Sequence, residues 1–211
     1  MRNTIVIFII SIASCIHGID ILGADWYNHR IVKIDDFSGA GWITYGTYGS
    51  GVGQFDGPIS VAIGFDGKIY IADRGNDRIV RIDDMTGAGW IALGGFDWPR
   101  DIAFDRHGKI YVVNEASDGI ARIDDMTGAG WLSFGSTGSG VFEFLRPSGI
   151  AVGQSDNIYI ADFQADRIVR IDDMTGSGWV TYGTHGSGVG QFDGPLRVAI
   201  RYNNRNRVAL R

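Results

Sequence analysis

The sequence predicts an all-β chain arranged as a β-propeller of four-stranded blades, and three observations carry that expectation. The first is an internal repeat. Segments reading R-I-V-[RK]-I-D-D-[FM]-[ST]-G-[AS]-G-W occupy Arg30–Trp42, Arg78–Trp90 and Arg167–Trp179, with a looser copy at Asp118–Trp131. The Ile that opens I-D-D falls at Ile34, Ile82, Ile123 and Ile171, giving spacings of 48, 41 and 48 residues. Strand-rich, glycine-punctuated repeats of that period build propeller blades. The second is composition: 22 Asp stand against Glu115 and Glu143 alone, 16 Arg against three Lys, and 32 Gly against four Pro. Asp and Gly make turns, whereas Glu and Lys favour helix surfaces. The third is the alternation of short apolar runs with turn signals inside each unit, described below.

In chain order, Arg2 precedes an apolar run, Thr4–Ala13, too short to span a bilayer and shaped like a signal-peptide core. Ile12-Ala13-Ser14-Cys15 resembles the lipobox of bacterial lipoproteins, in which the cysteine is acylated. Residues 1–17 are therefore expected to be a signal peptide, of lipoprotein or ordinary type, residues 18–200 the propeller and 201–211 a C-terminal tail. The expected location is secreted, cell-surface or periplasmic, with membrane contact only through a lipid on Cys15. Cys15 is the only cysteine, which excludes an intramolecular disulfide. A net charge of −5 without a basic, aromatic-interleaved patch argues against nucleic-acid binding.

The unit Pro58–Gly95 serves as the template. Ser60–Phe65 is an apolar first strand, Asp66-Gly67 a hairpin turn, and Ile69–Asp73 the second strand. Arg78–Asp83 is the third, Asp84-Met85-Thr86-Gly87 a turn, and Gly89–Gly94 the fourth. Four antiparallel strands joined this way make one blade. Asp101–Gly135 and Ser148–Gly183 follow the same plan. Ile19–Gly46 lacks a first strand, and Gly194–Ile200 matches the missing piece, so the two termini are expected to share a fourth blade that closes the ring. The alternatives are an open fragment of a larger propeller or two chains pairing as a homodimer.

Three stretches together resemble NHL-repeat propellers. They are G-x-G-x-G-Q-F-x-G-P at Gly49–Pro58 and Gly186–Pro195, the V-A-I-x-x-D-G-x-I-Y-I-A-D core at Val61–Asp73, and N-x-R-I at Asn28–Ile31 and Asn76–Ile79. The third unit departs, with Asn114 for Asp and Ser117-Asp118-Gly119-Ile120 for N-x-R-I. The resemblance implies an interaction platform, an extracellular sensor head or an exported protein. A minority of similar propellers are lyases or lactonases with a metal in the central channel. Fold alone does not choose among them.

No catalytic constellation stands out. The four His (17, 29, 107, 185) are scattered, and neither G-x-S-x-G nor H-E-x-x-H occurs. Asp25, Asp73, Asn114 and Asp162, which end each second strand, are expected to hold backbone N–H groups. The D-D-x-[ST]-G turns are expected to be structural, with weak binding of Ca²⁺ or another divalent cation as the alternative and no cofactor otherwise expected. Trp42, Trp90, Trp131 and Trp179 are expected to pack between blades. Repeated positions carry the scaffold, so a ligand is expected where units differ. Those places are the connections after the second strand and the segments between blades, which emerge on one side of the ring. The candidate ligand-binding residues are Trp26, Tyr27, His29, Tyr48, Arg74, Trp98, Glu115, Phe163, Gln164 and His185. A protein, peptide or glycan partner is expected there.

Overall fold

The computed structural model describes residues 6–7 and 20–201. The rest of the expected leader, including Cys15, and the tail beyond 201 lie outside the described residues. Four four-stranded antiparallel sheets follow one another along the chain. The first comprises β1 (Val6–Ile7), β2 (Ile21–Asp25), β3 (Arg30–Ile34) and β4 (Ile43–Tyr45). A small parallel pair, β5 (Thr47–Tyr48) and β6 (Gln54–Phe55), precedes the second sheet, β7 (Pro58–Ile63), β8 (Ile69–Asp73), β9 (Arg78–Ile82) and β10 (Ile91–Gly94). The third sheet is β11 (Pro99–Phe104), β12 (Ile110–Asn114), β13 (Gly119–Ile123) and β14 (Leu132–Phe134). The fourth is β15 (Pro147–Val152), β16 (Ile158–Asp162), β17 (Arg167–Ile171) and β18 (Val180–Tyr182), with a second parallel pair, β19 (Thr184–His185) and β20 (Gln191–Phe192). The only helical turns among the described residues are short 3-10 turns at Trp26–Asn28 and Arg74–Asn76.

The middle strands of the second and third sheets are apolar on both faces because each of these two sheets is sandwiched between neighbours. Ala72 and Ile79 face the third sheet, whereas Ile71 and Val80 face the first. Three apolar cores result, one at each junction between consecutive sheets. Trp90 packs on Phe55 and Tyr45 of the preceding segment, at 5.5 and 6.3 Å between ring centres, and Trp179 lies 5.4 Å from Phe144. Trp42, with no sheet before it in the described chain, is 52% exposed.

Asp73 is fully buried at the end of β8 and ties three chain segments together. One oxygen accepts the Asp56 N–H at 2.7 Å; the other accepts from Asn76 Nδ2 and Arg78 Nε, each at 2.8 Å. Arg78 then donates to the carbonyls of Ser50 and Gln54 and lies 5.5 Å from the centre of Trp90. Asp162 and Arg167 repeat the arrangement with the Leu145 N–H, the Ser139 and Glu143 carbonyls, and Trp179. Burial raises both carboxyl pKa values, and these donors oppose it. The third sheet is entered by only the short segment from Gly94 to Pro99. Its Asn114 accepts the Asp97 N–H at 3.4 Å, and Gly119 stands where the arginines do. With no long loop to hold, neither carboxylate nor guanidinium is required.

The inner edge of the first sheet differs from the sequence expectation. Val6 and Ile7 pair with Ala24 and Gly23 there, inside the segment expected to be a leader. The C-terminal copy, Pro195–Ile200, forms no strand. It runs beside β15, where Ser148 Oγ donates to the carbonyls of Pro195 and Leu196, so its backbone is engaged by a side chain and not by a sheet ladder.

Phe144 is fully buried between Phe134 and Trp179, and a Cβ on Gly135 would lie 2.6 Å from its ring, at a φ of +105° that only glycine tolerates well. Phe144→Ala is expected to cost about 3–5 kcal/mol, read from the shift in denaturant midpoint.

Candidate ligand-binding mouth

Three columns of repeat-equivalent residues build this region. The residue after each second strand is Trp26, Arg74, Glu115 or Phe163; the residue before each first-strand proline is Gly57, Trp98, Arg146 or Gly194; and the residue after that proline is Ile59, Arg100, Ser148 or Leu196. The residue three positions after each member of the first column makes one hydrogen bond to the second column. His29, Asp77, Asp118 and Asp166 take left-handed φ near +50° and accept the N–H of Gly57, Trp98, Arg146 and Gly194 at 3.0, 2.9, 2.6 and 2.7 Å. Those donors also have positive φ, 63°, 50°, 50° and 64°. Two units meet that demand with glycine, whereas the other two impose it on Trp98 and Arg146 at about 1–3 kcal/mol each. The scaffold is constant and the side chains it presents are not.

The presented side chains converge. Glu115 is 2% exposed, and three guanidinium groups surround its carboxylate. Arg74 and Arg100 approach Oε2 at 3.1 and 2.8 Å, and Arg146 donates to Oε1. Burial pushes the Glu115 pKa up, but hydrogen bonds from Arg100 and Arg146 and the charges of Arg100 and Arg74 outweigh it, leaving it below the ordinary glutamate value. Three positive charges against one negative make a locally basic patch on an acidic chain. Arg74 lies 4.0 Å from the ring centre of Trp98 and 5.6 Å from that of Trp26, and Arg146 lies 6.0 Å from Phe163. Tyr27 stacks on Trp26 at 5.5 Å and 9°.

Next along the first strand comes a fourth column, Ser60, Asp101, Gly149 and Arg197, in which Ser60 and Asp101 are buried and Arg197 is exposed. Asp101 Oδ1 accepts from Ser60 Oγ at 2.9 Å and pairs with Arg197 at 3.2 Å; Oδ2 accepts the Ile150 N–H at 3.1 Å. Burial raises the Asp101 pKa, and the Arg197 charge is the main opposing influence. Gly149 admits the C-terminal segment, since a Cβ there would lie 2.7 Å from the Arg197 Cα.

Of the residues singled out from sequence, Trp26, Tyr27, Arg74, Trp98, Glu115 and Phe163 fall into this connected set. Glu115 is its buried organiser and not a surface contact, because a carboxylate facing three arginines is held inward. His29 and Tyr48 form a separate pair, 4.7 Å between ring centres, with His29 Nδ1 occupied by Gly57. His185 bonds Asp166, and Gln164 donates its backbone N–H to Leu145 while its side chain is exposed. Arg100, Arg146, Asp101 and Arg197 escaped the sequence reading. The signal of Arg100, Asp101 and Arg197 was present in the triplets P-I-S, P-R-D, P-S-G and P-L-R, and that of Arg146 in the residue before the proline, which is Gly, Trp, Arg or Gly. Among the described residues one His–carboxylate trio has metal-ligand spacing, Asp166, His185 and Asp193, on exposed or partly exposed loop positions.

No family model matches the chain, and no curated protein matches it. Solved structures do. A streptogramin B lyase aligns at 16% identity and a TM-score of 0.60, over 77% of this chain and 50% of its own. A gluconolactonase from Xanthomonas campestris aligns at 16% identity and 0.60, over 77% and 57%. The WD40 repeats of RRP9 align at 14% and 0.61, over 77% and 47%. The fold is that of a β-propeller. At such identities the likeness carries the fold alone, and the chain spans about half the length of these structures. They include enzymes and an interaction module, so the fold is compatible with either.

The Glu115 cluster has a pH signature. A carboxyl whose folded pKa is depressed contributes stability above its unfolded pKa, about 4.3–4.5, and loses it as pH falls through the folded value. Glu115→Gln is expected to lower the melting temperature at pH 7, with the gap to the parent narrowing once the pH drops below about 4.

Proposed function

We propose that this chain is an exported, non-enzymatic NHL-type binding module that holds a protein, peptide or glycan partner on the arginine–tryptophan mouth. One observation carries the reading: loop residues that differ between otherwise similar units collect at this mouth, and most of them are Trp, Tyr and Arg. Such residues dominate binding hot spots, because they combine large contact area with directional polar groups. Tyr27 and Trp98 are the most accessible aromatic members, at 72% and 45% exposure, so they are the contact residues. Arg74, pinned between two indoles and bound to Glu115, holds the set in shape. The metal-dependent lyase or lactonase reading needs a set of ligands converging on a cation, whereas the buried Asp101 here is already bonded to Ser60 and paired with Arg197.

Export by the N-terminal leader, with acylation at Cys15, belongs to the same proposal. Removing the leader would take β1 with it and expose the backbone of β2 at that edge. Cys15→Ser is expected to abolish a lipid mass increment on the mature chain, measured by intact mass spectrometry after expression in a lipoprotein-processing bacterium.

The binding reading is tested on peptide and glycan arrays. Tyr27→Ala with Trp98→Ala is expected to weaken array ligands by about tenfold or more while the melting temperature stays within a few degrees. Unchanged array binding by a folded double variant would remove the mouth as the contact surface.

A further inference from the structure

The opposite face of the molecule, where the D-D-M-T-G turns emerge, carries a cavity that the function above does not use. It lies between the first and second sheets, with a volume of about 580 Å³. The next junction, between the second and third sheets, holds the repeat-equivalent cavity at about 230 Å³. The linings correspond residue for residue: Ile69 with Ile110, Met85 with Met126, Gly67 with Gly108, and Asp83-Asp84 with Asp124-Asp125. Two substitutions contribute to the difference in size. Tyr70 and Phe104 fill the smaller cavity, edge to face at 4.9 Å between ring centres. At the first junction their counterparts are Leu22 and Ile63. A third substitution changes the charge at the rim. Asp20 occupies the position held by Lys68 and Lys109 in the next two units. Three carboxylates, Asp20, Asp83 and Asp84, therefore line the opening together with one ammonium, Lys33, which is already paired with Asp20 at 2.7 Å and Asp35 at 3.3 Å. Lys68 and Arg81 stand behind Asp83, at 2.7 and 3.5 Å.

An apolar hollow of this volume suits a small molecule, and a few polar groups at its lip orient what enters. We infer that the cavity between the first two sheets binds a small molecule with an apolar, ring-sized body and a cationic end. The body sits on Leu22, Ile43, Ile63 and Ile69, with Met85 adapting to its shape. The cationic end faces the carboxylates. Each of these side-chain differences can be reversed with the residue that the next unit already accommodates.

The test uses the full chain and N-phenyl-1-naphthylamine, a neutral fluorescent probe of apolar cavities. The probe is displaced with two ligands of the same ring and opposite charge, naphthylmethylammonium and naphthylacetate. The parent protein is expected to bind the probe and to release it to the ammonium at a concentration about tenfold or more below that needed for the carboxylate. Ile63→Phe, alone and with Leu22→Tyr, is expected to abolish probe binding without lowering the melting temperature, because it fills a void. Where the double variant does not fold, Ile63→Phe alone decides. Asp20→Lys is expected to erase the charge preference while leaving probe binding intact. Absence of probe binding to the parent would overturn the proposal. So would unchanged binding in the folded Ile63→Phe variant, or equal displacement by the two competitors.

Discussion

The buried carboxylate that ends the second strand organises the architecture around it. Asp73 holds the incoming loop through the Asp56 N–H and positions Arg78, which in turn holds the loop's carbonyls beside Trp90. Such a group is costly to bury alone and becomes acceptable only when several donors converge on it. The chain leaves it in a fixed direction, so the next residue is always delivered to the mouth. That is why Trp26, Arg74, Glu115 and Phe163, chemically unlike one another, occupy equivalent places.

A division of labour follows. Bonds that recur in each unit, such as the left-handed His29, Asp77, Asp118 and Asp166 accepting a backbone N–H, set geometry. Residues that do not recur set chemistry. Glu115 does not recur yet also sets geometry, since its three arginines would repel one another without it. Leu22 and Ile63 show the same logic at the other face, where they line the larger hollow in place of Tyr70 and Phe104.

Much of the fold was legible in the sequence because strand and turn signals agree with the repeat. Ile69–Asp73 matches its expected span, while Ser60–Phe65 is observed as Pro58–Ile63, a shift of two residues where a bulge follows the proline. The departures of the third unit were visible as Asn114 and Gly119, but their cause, the short entry segment, emerges only once loop and sheet are seen together. The mouth was half legible. Loop aromatics attract notice, whereas Arg100 and Arg146 sit against the proline repeated in each unit and read as strand and linker. The inner edge of the first sheet was not legible, because both Val6–Ile7 and Val198–Ile200 have strand chemistry and sequence alone does not rank them.

Near-identity of the units also shapes how the chain reaches its fold. β9 and β17 share the sequence R-I-V-R-I and the same turn after it, so either can dock against the wrong neighbour at little local penalty. Three of the four units are interchangeable in this sense; the third is not, because its short entry and its Asn114–Gly119 pair fit no long loop. The irregular unit is therefore a registration mark. It sits between the second and fourth sheets and distinguishes the correct order of assembly from its permutations.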